Sequence, residues 1–175
     1  MPFPLLRPPL APRTSRRAAW ALASCLLAAC RVPPRPVLHV LLRLPHDSVQ
    51  FATGAAAQWC GRGRGVLVQG MVAGNGVLVW VRGDSVTGGD YPLLTRGDST
   101  TPRGAKVSVR FALGEVARGV MLDSGRVTLT RRGATISGSV LGSGLEPAGG
   151  VRAGLRATLD SATLARDTAN CALEL

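Results

Sequence analysis

Aromatic residues make up only 4% of the 175-residue chain. After residue 29 the rings are Phe51, Trp59, Trp80, Tyr91 and Phe111, so a core has to be built mainly from Val, Leu and Ala. Lysine is nearly missing: Lys106 is the sole Lys among 21 basic residues. His39 and His46 are the only histidines, and with four scattered Cys they lack the spacing of a zinc site. No metal or other cofactor is expected. No Gly-x-Ser-x-Gly elbow occurs. From Asp47 onward long helical patterns are missing as well, which disfavours an α-helical fold.

The chain is long enough for one domain, and an apolar share of 46% can fill its core. The formal net charge of +11 is partly a terminal effect. Residues 1–29 contain Arg7, Arg13, Arg16 and Arg17 and no acid, so the rest carries +7. Such basicity usually raises nucleic acid as a partner. Here part of it belongs to a leader and the remainder is scattered, so nucleic acid is not expected.

Residues 1–29 have the layout of an export signal: a basic start, the apolar run 18–29, and small residues before Cys30. Twelve helical residues rise about 18 Å, short of the ~30 Å hydrocarbon core, so this run is not read as a permanent span. Leu27-Ala28-Ala29-Cys30 resembles the lipobox of bacterial lipoproteins. The resemblance implies diacylglyceryl transfer to the Cys30 thiol, cleavage just before it, and at least two acyl chains, enough for a stable anchor. Leu22-Ala23-Ser24-Cys25 also fits the pattern but leaves a short apolar segment after Arg17. An ordinary secretory signal is the alternative. Ser15-Arg16-Arg17 hints at twin-arginine export, but Arg pairs are common in this composition and the Sec route is expected. The expected location is the bacterial cell envelope, on the periplasmic or surface side; Arg31 after the lipobox leaves outer-membrane sorting open.

With Cys25 removed and Cys30 lipidated, Cys60 and Cys171 remain. In an oxidising compartment the pair is expected to form a disulfide, worth roughly 4–5 kcal/mol in the chain-entropy picture. Two free buried thiols are the alternative. The expected organisation is a signal peptide over residues 1–29, a lipidated Cys and Pro-rich tether over 30–46, and a β domain over 47–175.

Residues 37–44 read as a first strand or a helical turn. Beyond them, short alternating runs are punctuated by Gly. Strands are expected over residues 48–52, 65–71, 76–82, 90–95, 105–113, 125–131, 134–141, 151–159 and 168–173, with Asn75-Gly76 as a hairpin signal. In residues 105–113, Val107, Val109 and Phe111 point inward and Lys106, Ser108 and Arg110 outward. Residues 55–60 and 161–165 read as helical turns. The fold class is all-β: an antiparallel β-sandwich or small barrel of about eight to ten strands. Ser124–Leu129 and Ile136–Val140 resemble the Gly-punctuated C-terminal hairpins of small, uncharacterised β-sandwich lipoproteins. That resemblance implies no activity.

Several local patterns suggest chemistry that simpler readings explain. His46-Asp47-Ser48 has the letters of a catalytic triad, but consecutive residues cannot form one, and a polar turn is expected. Gly61-Arg62-Gly63-Arg64-Gly65 offers Arg62 and Arg64 for an anion or lipid headgroup, against a solvated loop. Arg131-Arg132 is a second small basic spot. Arg82-Gly83-Asp84 and Arg96-Gly97-Asp98 are RGD triplets, expected by chance in an Arg- and Gly-rich chain.

The expectation is a non-enzymatic, membrane-tethered lipoprotein that binds an envelope partner or supports the envelope. The alternative is a carrier of a small apolar ligand in a barrel cavity, suggested by Gly138, Ala153 and Ala157 at mid-strand. A third reading is an envelope hydrolase whose carboxylates are assembled in space. Oligomeric state is not encoded in any of these patterns.

Overall fold

The computed structural model describes residues 37–61, 65–83, 85–147, 149–169 and 171. Its elements are all strands: β1 (Val37–Arg43), β2 (Ser48–Gly54), β3 (Ala56–Cys60), β4 (Gly65–Val72), β5 (Asn75–Arg82), β6 (Gly89–Pro92), β7 (Gly104–Leu113), β8 (Val116–Arg132), β9 (Thr135–Glu146) and β10 (Val151–Ala169). The fold is therefore all-β, and its ladder closes on itself. Strands run in the order β10-β3-β4-β5-β7-β8, and β9 then pairs with both β8 and β10. This closure makes a small barrel.

Two long strands make the closure possible. Along one edge, β10 pairs first with β1 (Leu38 opposite Leu159, Arg43 opposite Gly154) and then with β3. Similarly, β8 pairs with β7 up to Met121 and with β6 from Arg126 to Leu129. Register shifts between Leu122 and Ser124 in β8, and between Leu159 and Ala162 in β10, mark bulges that bend these strands around the barrel.

Alternation fixes which face is inside. Leu38, Val40 and Leu42 of β1 are buried, and so are Val107, Val109 and Phe111 of β7 and Ala153, Leu155, Ala157 and Leu159 of β10. Arg110, Arg126, Arg152 and Arg156 occupy exposed positions. An apolar inside and a charged outside reverse the arrangement of a membrane-spanning barrel. Among the described residues no helix is long and apolar enough to cross a membrane.

Several sequence expectations change. The β domain begins at or before Val37, not at residue 47, because β1 lies between β2 and β10 and contributes Leu38, Val40 and Leu42 to the core. The Ala-rich run 55–60 is strand β3, which pairs on both edges, with β4 and with β10. Its pairing with β10 is parallel, unlike the other strand ladders. Residues 161–165 are not helical either; they continue β10 through its bulge to Ala169.

The β4–β5 turn falls within the expected Ala73-Gly74-Asn75-Gly76 segment, but its loop is the first dipeptide and not Asn75-Gly76. Val72 pairs with Asn75, so Ala73-Gly74 is the two-residue loop, with φ of 46° and 80°. A turn with positive φ at both centres suits the twist of a hairpin, and Gly74 takes one of these positions without strain. Asn75 instead accepts a hydrogen bond from the Ala112 backbone N–H at 3.0 Å, tying this hairpin to the end of β7.

Among the described residues the barrel interior is nearly filled. The void among Leu38, Val68, Val79, Val127, Gly138 and Ala157 holds about 20 Å³, room for about one water and far below the ~300 Å³ at which small-molecule sites begin. Gly138 leaves no pocket: a Cβ there would meet Leu129 Cδ2 at 2.8 Å and overlap the Thr128 carbonyl oxygen. Small mid-strand residues thus let the strands pack closely rather than opening a ligand chamber.

Candidate functional site

A groove of about 710 Å³ lies on the outer face of β7, β8 and the end of β9. Its origin is in the register. Arg110 of β7 stands opposite Gly119, and Ser108 opposite Met121. Met121 in turn stands opposite Leu145 of β9. β8 begins at Val116, ahead of its first pairing with β9, while β9 stops at Glu146. The outward positions there, Ala117 and Gly119, carry little or no side chain. The surface is therefore hollow between Arg110 on one side and Leu145 and Pro147 on the other.

The floor of the groove is apolar and its rim is basic. Leu145 is 48% exposed and, beside Met121, forms the apolar part of the floor. Arg96 and Arg110 contribute the cations, and Asp123 is the one carboxylate among the described lining residues. That carboxylate is already engaged. Arg152 donates from Nη1 to Asp123 Oδ1 and from Nη2 to Oδ2, both at 3.0 Å. These hydrogen bonds, reinforced by the guanidinium charge, hold Asp123 below the usual carboxylate range. Arg152 Nη1 also donates to Ser143 Oγ at 2.8 Å. No His, Cys or Glu appears among the described residues lining the groove. It offers apolar contact and guanidinium forks rather than a nucleophile with a base.

Arg118 belongs to a second, smaller hollow of about 220 Å³ at one end of the barrel. Leu44 to Asp47, Leu113 and Val151 surround Glu146 there. The Glu146 side chain is 1% exposed, and its Oε2 lies 3.5 Å from Arg118 Nη1. Its Oε1 finds no hydrogen-bond partner among the described residues. Arg118 stands opposite the buried Phe111, on the face away from Arg110 and Gly119, and its guanidinium is directed to this carboxylate.

Of the residues singled out by sequence, Cys60 and Cys171 come together at disulfide-bonding distance, with Cα atoms 5.4 Å apart. The parallel register explains it: Ala169 pairs with Cys60, which brings Cys171 alongside. The pair lies outside the barrel, in a second cluster with Leu67, Leu78 and Trp80. Lys106, placed outward by alternation, is nonetheless buried, with Nζ 5.7 Å from the Trp80 ring. Cys30, Arg62 and Arg64 lie outside the described residues.

The remaining motifs are local structure. Asp47 Oδ1 accepts the Ser48 backbone N–H at 2.7 Å, so His46-Asp47-Ser48 is a polar turn. Arg131 stacks over Trp59 at 4.8 Å and donates to the Val86 and Gly133 carbonyls, closing the other barrel end. His39 and Asp160 form an exposed pair at 3.6 Å. Among the described residues no group of three or more His, Cys, Asp or Glu could hold a metal ion.

Sequence reading missed Arg96, Arg110, Arg118, Met121 and Leu145. The one trace was the Ala117-x-Gly119 spacing, which empties two outward positions; its meaning depends on β8 lying beside Arg110. No protein-family model, no curated protein and no solved structure matches this chain.

Proposed function

We propose that the protein is an exported lipoprotein, anchored in the cell envelope through acyl chains on Cys30, whose barrel is a binding module rather than an enzyme. The groove over Gly119 carries the binding half of this reading. It is a built concavity with an apolar floor and unengaged guanidinium groups, on a barrel whose interior is packed. The lipobox-like Leu27-Ala28-Ala29-Cys30 carries the anchoring half. From Cys30 to Val37 an extended chain spans at most about 25 Å, so an anchored barrel works close to the bilayer. In that compartment the Cys60–Cys171 pair is oxidised.

Intact mass, measured without reduction on protein extracted from its own membrane, tests the reading. Cleavage before Cys30 with added acyl mass and two hydrogens fewer supports it. A full-length, unlipidated chain with free thiols overturns it. Measured under native conditions, an adduct lost in Gly119→Leu assigns binding to the groove; an adduct kept by that variant places binding elsewhere.

A further inference from the structure

We propose that the β7–β8 groove binds a single-chain anionic amphiphile: an apolar tail along the Ala117, Gly119, Met121 and Leu145 floor, with a carboxylate or phosphate head against Arg96 and Arg110. This specifies the ligand class of the binding reading above and rests on that reading, though not on lipidation.

Size is the first argument. A groove of about 710 Å³ falls within the ~300–1,000 Å³ of sites that take small molecules. Charge is the second. Arg96 and Arg110 form no ion pair among the described residues, whereas Arg118 is paired with Glu146 and Asp123 is held by Arg152. The unengaged charge on the rim is thus positive, and only an anionic head complements it. Polarity is also arranged along the groove. Met121 and Leu145 are cross-strand neighbours on the floor, and Arg110 stands one strand over, opposite Gly119. An occupant must be apolar along one part and anionic at another. A guanidinium beside apolar surface binds such a head through paired N–H donors while the tail removes the floor from water.

Methionine methyl resonances give a local reading. Met71 projects from the β4–β5 hairpin with 69% exposure and serves as an internal control for Met121. The full chain is isolated as it occurs, with labelled Met methyls, and placed in zwitterionic nanodiscs if its mass shows acyl chains or in buffer if it does not. Dodecanoate and dodecyl phosphate are added separately, with dodecyltrimethylammonium, dodecyl maltoside, inorganic phosphate and an acidic, Leu-rich peptide as comparisons. The expected result is a saturable shift of Met121, without Met71, by one or both anionic chains and by none of the others. Whichever head binds distinguishes a carboxylate source from a phosphate one.

Arg110→Gln is expected to weaken that binding about tenfold. Gly119→Leu is expected to abolish it while leaving the fold intact. At Gly119 a Cβ meets only the Val109 carbonyl, at 3.7 Å, so the new side chain fills the groove rather than the core. The proposal is overturned if the cationic or neutral chain shifts Met121 equally, if only the peptide shifts it, or if no anionic chain does. It is also overturned if Gly119→Leu binds like the native chain. None of these outcomes bears on whether Cys30 is acylated, which the mass alone decides.

Discussion

Arg82 and Asp98, from the two RGD triplets, are paired with each other. Arg82 Nη2 lies 3.7 Å from Asp98 Oδ1, and the same nitrogen donates to the Thr101 carbonyl oxygen. Asp98 also accepts the Thr101 backbone N–H at 2.9 Å, the Thr101 hydroxyl at 2.6 Å and the Thr100 N–H at 3.0 Å. The carboxylate therefore folds the connection between β6 and β7 onto the end of β5. A carboxylate so occupied is poorly placed to coordinate a receptor's metal ion, which argues against an adhesive role for this triplet.

The pH dependence of this loop follows from those bonds. Thr101, through its backbone N–H and then its hydroxyl, brings Asp98 from 3.8 to about 2, with a smaller contribution from Arg82. A depressed carboxyl pKa gives stability that is fully present above the unfolded value and is lost as pH falls through the folded one. Amide exchange at Thr101 is expected to stay slow down to about pH 4 and to quicken relative to Thr53 as pH approaches 2. Asp98→Asn is expected to make that exchange fast at every pH. Unchanged protection in the variant would show that the Arg82–Thr101 bond alone holds the loop.

Much of the fold was visible in the chain because period-two alternation is a local property. Val107, Val109 and Phe111 against Ser108 and Arg110 identify β7 without any neighbour. The readings failed where geometry is supplied by another strand. Bulges after Leu159 and Ala165 interrupt the alternation of β10, so one long strand looked like a strand, a helical turn and a second strand. The Ala-rich β3 has helical propensity, but hydrogen-bonding on both edges outweighs it. The groove was the least visible feature: Arg110 and Gly119 become neighbours only through the β7–β8 register.

The Cys60–Cys171 link would close a separation of 111 residues. In the chain-entropy picture a loop of this length stabilises by about 4–5 kcal/mol, or roughly 10 °C in Tm for a chain of this size. Its cluster also packs Leu67 and Trp80 beneath the C-terminal end of β10. Cys60→Ser/Cys171→Ser is therefore expected to lower Tm by about that amount and to speed amide exchange at Ala169. Reductant should lower the native Tm and leave the variant unmoved. Equal melting of oxidised and reduced native protein would mean that the link adds no constraint.

Ala73 is the described non-Gly residue with positive φ, at 46°. A left-handed backbone costs an L-residue roughly 1–2 kcal/mol, and glycine avoids that cost at an entropic penalty of about half. Ala73→Gly is expected to raise stability by about 0.5–1 kcal/mol, measured by urea unfolding. Ala73→Val should lower it by more than 1 kcal/mol, because a β-branched side chain crowds this backbone further. A Val variant as stable as the native protein would show that the turn had moved to Gly74-Asn75.

Glu146 and Arg118 should respond asymmetrically to truncation. Glu146 is 1% exposed and Arg118 38%, so removing the cation strands a buried carboxylate, whereas removing the carboxylate leaves a guanidinium that can turn toward water. Arg118→Met is expected to cost about 2–3 kcal/mol, below the range for a fully buried pair because Arg118 is partly solvated. Glu146→Leu should cost less than about 1 kcal/mol, since Leu44, Leu113 and Val151 already surround the site. The double variant should recover most of the loss in Arg118→Met, giving a coupling energy of about 1–2 kcal/mol in a double-mutant cycle. If Arg118→Met alone unfolds at the native urea concentration, Arg118 is not what compensates Glu146.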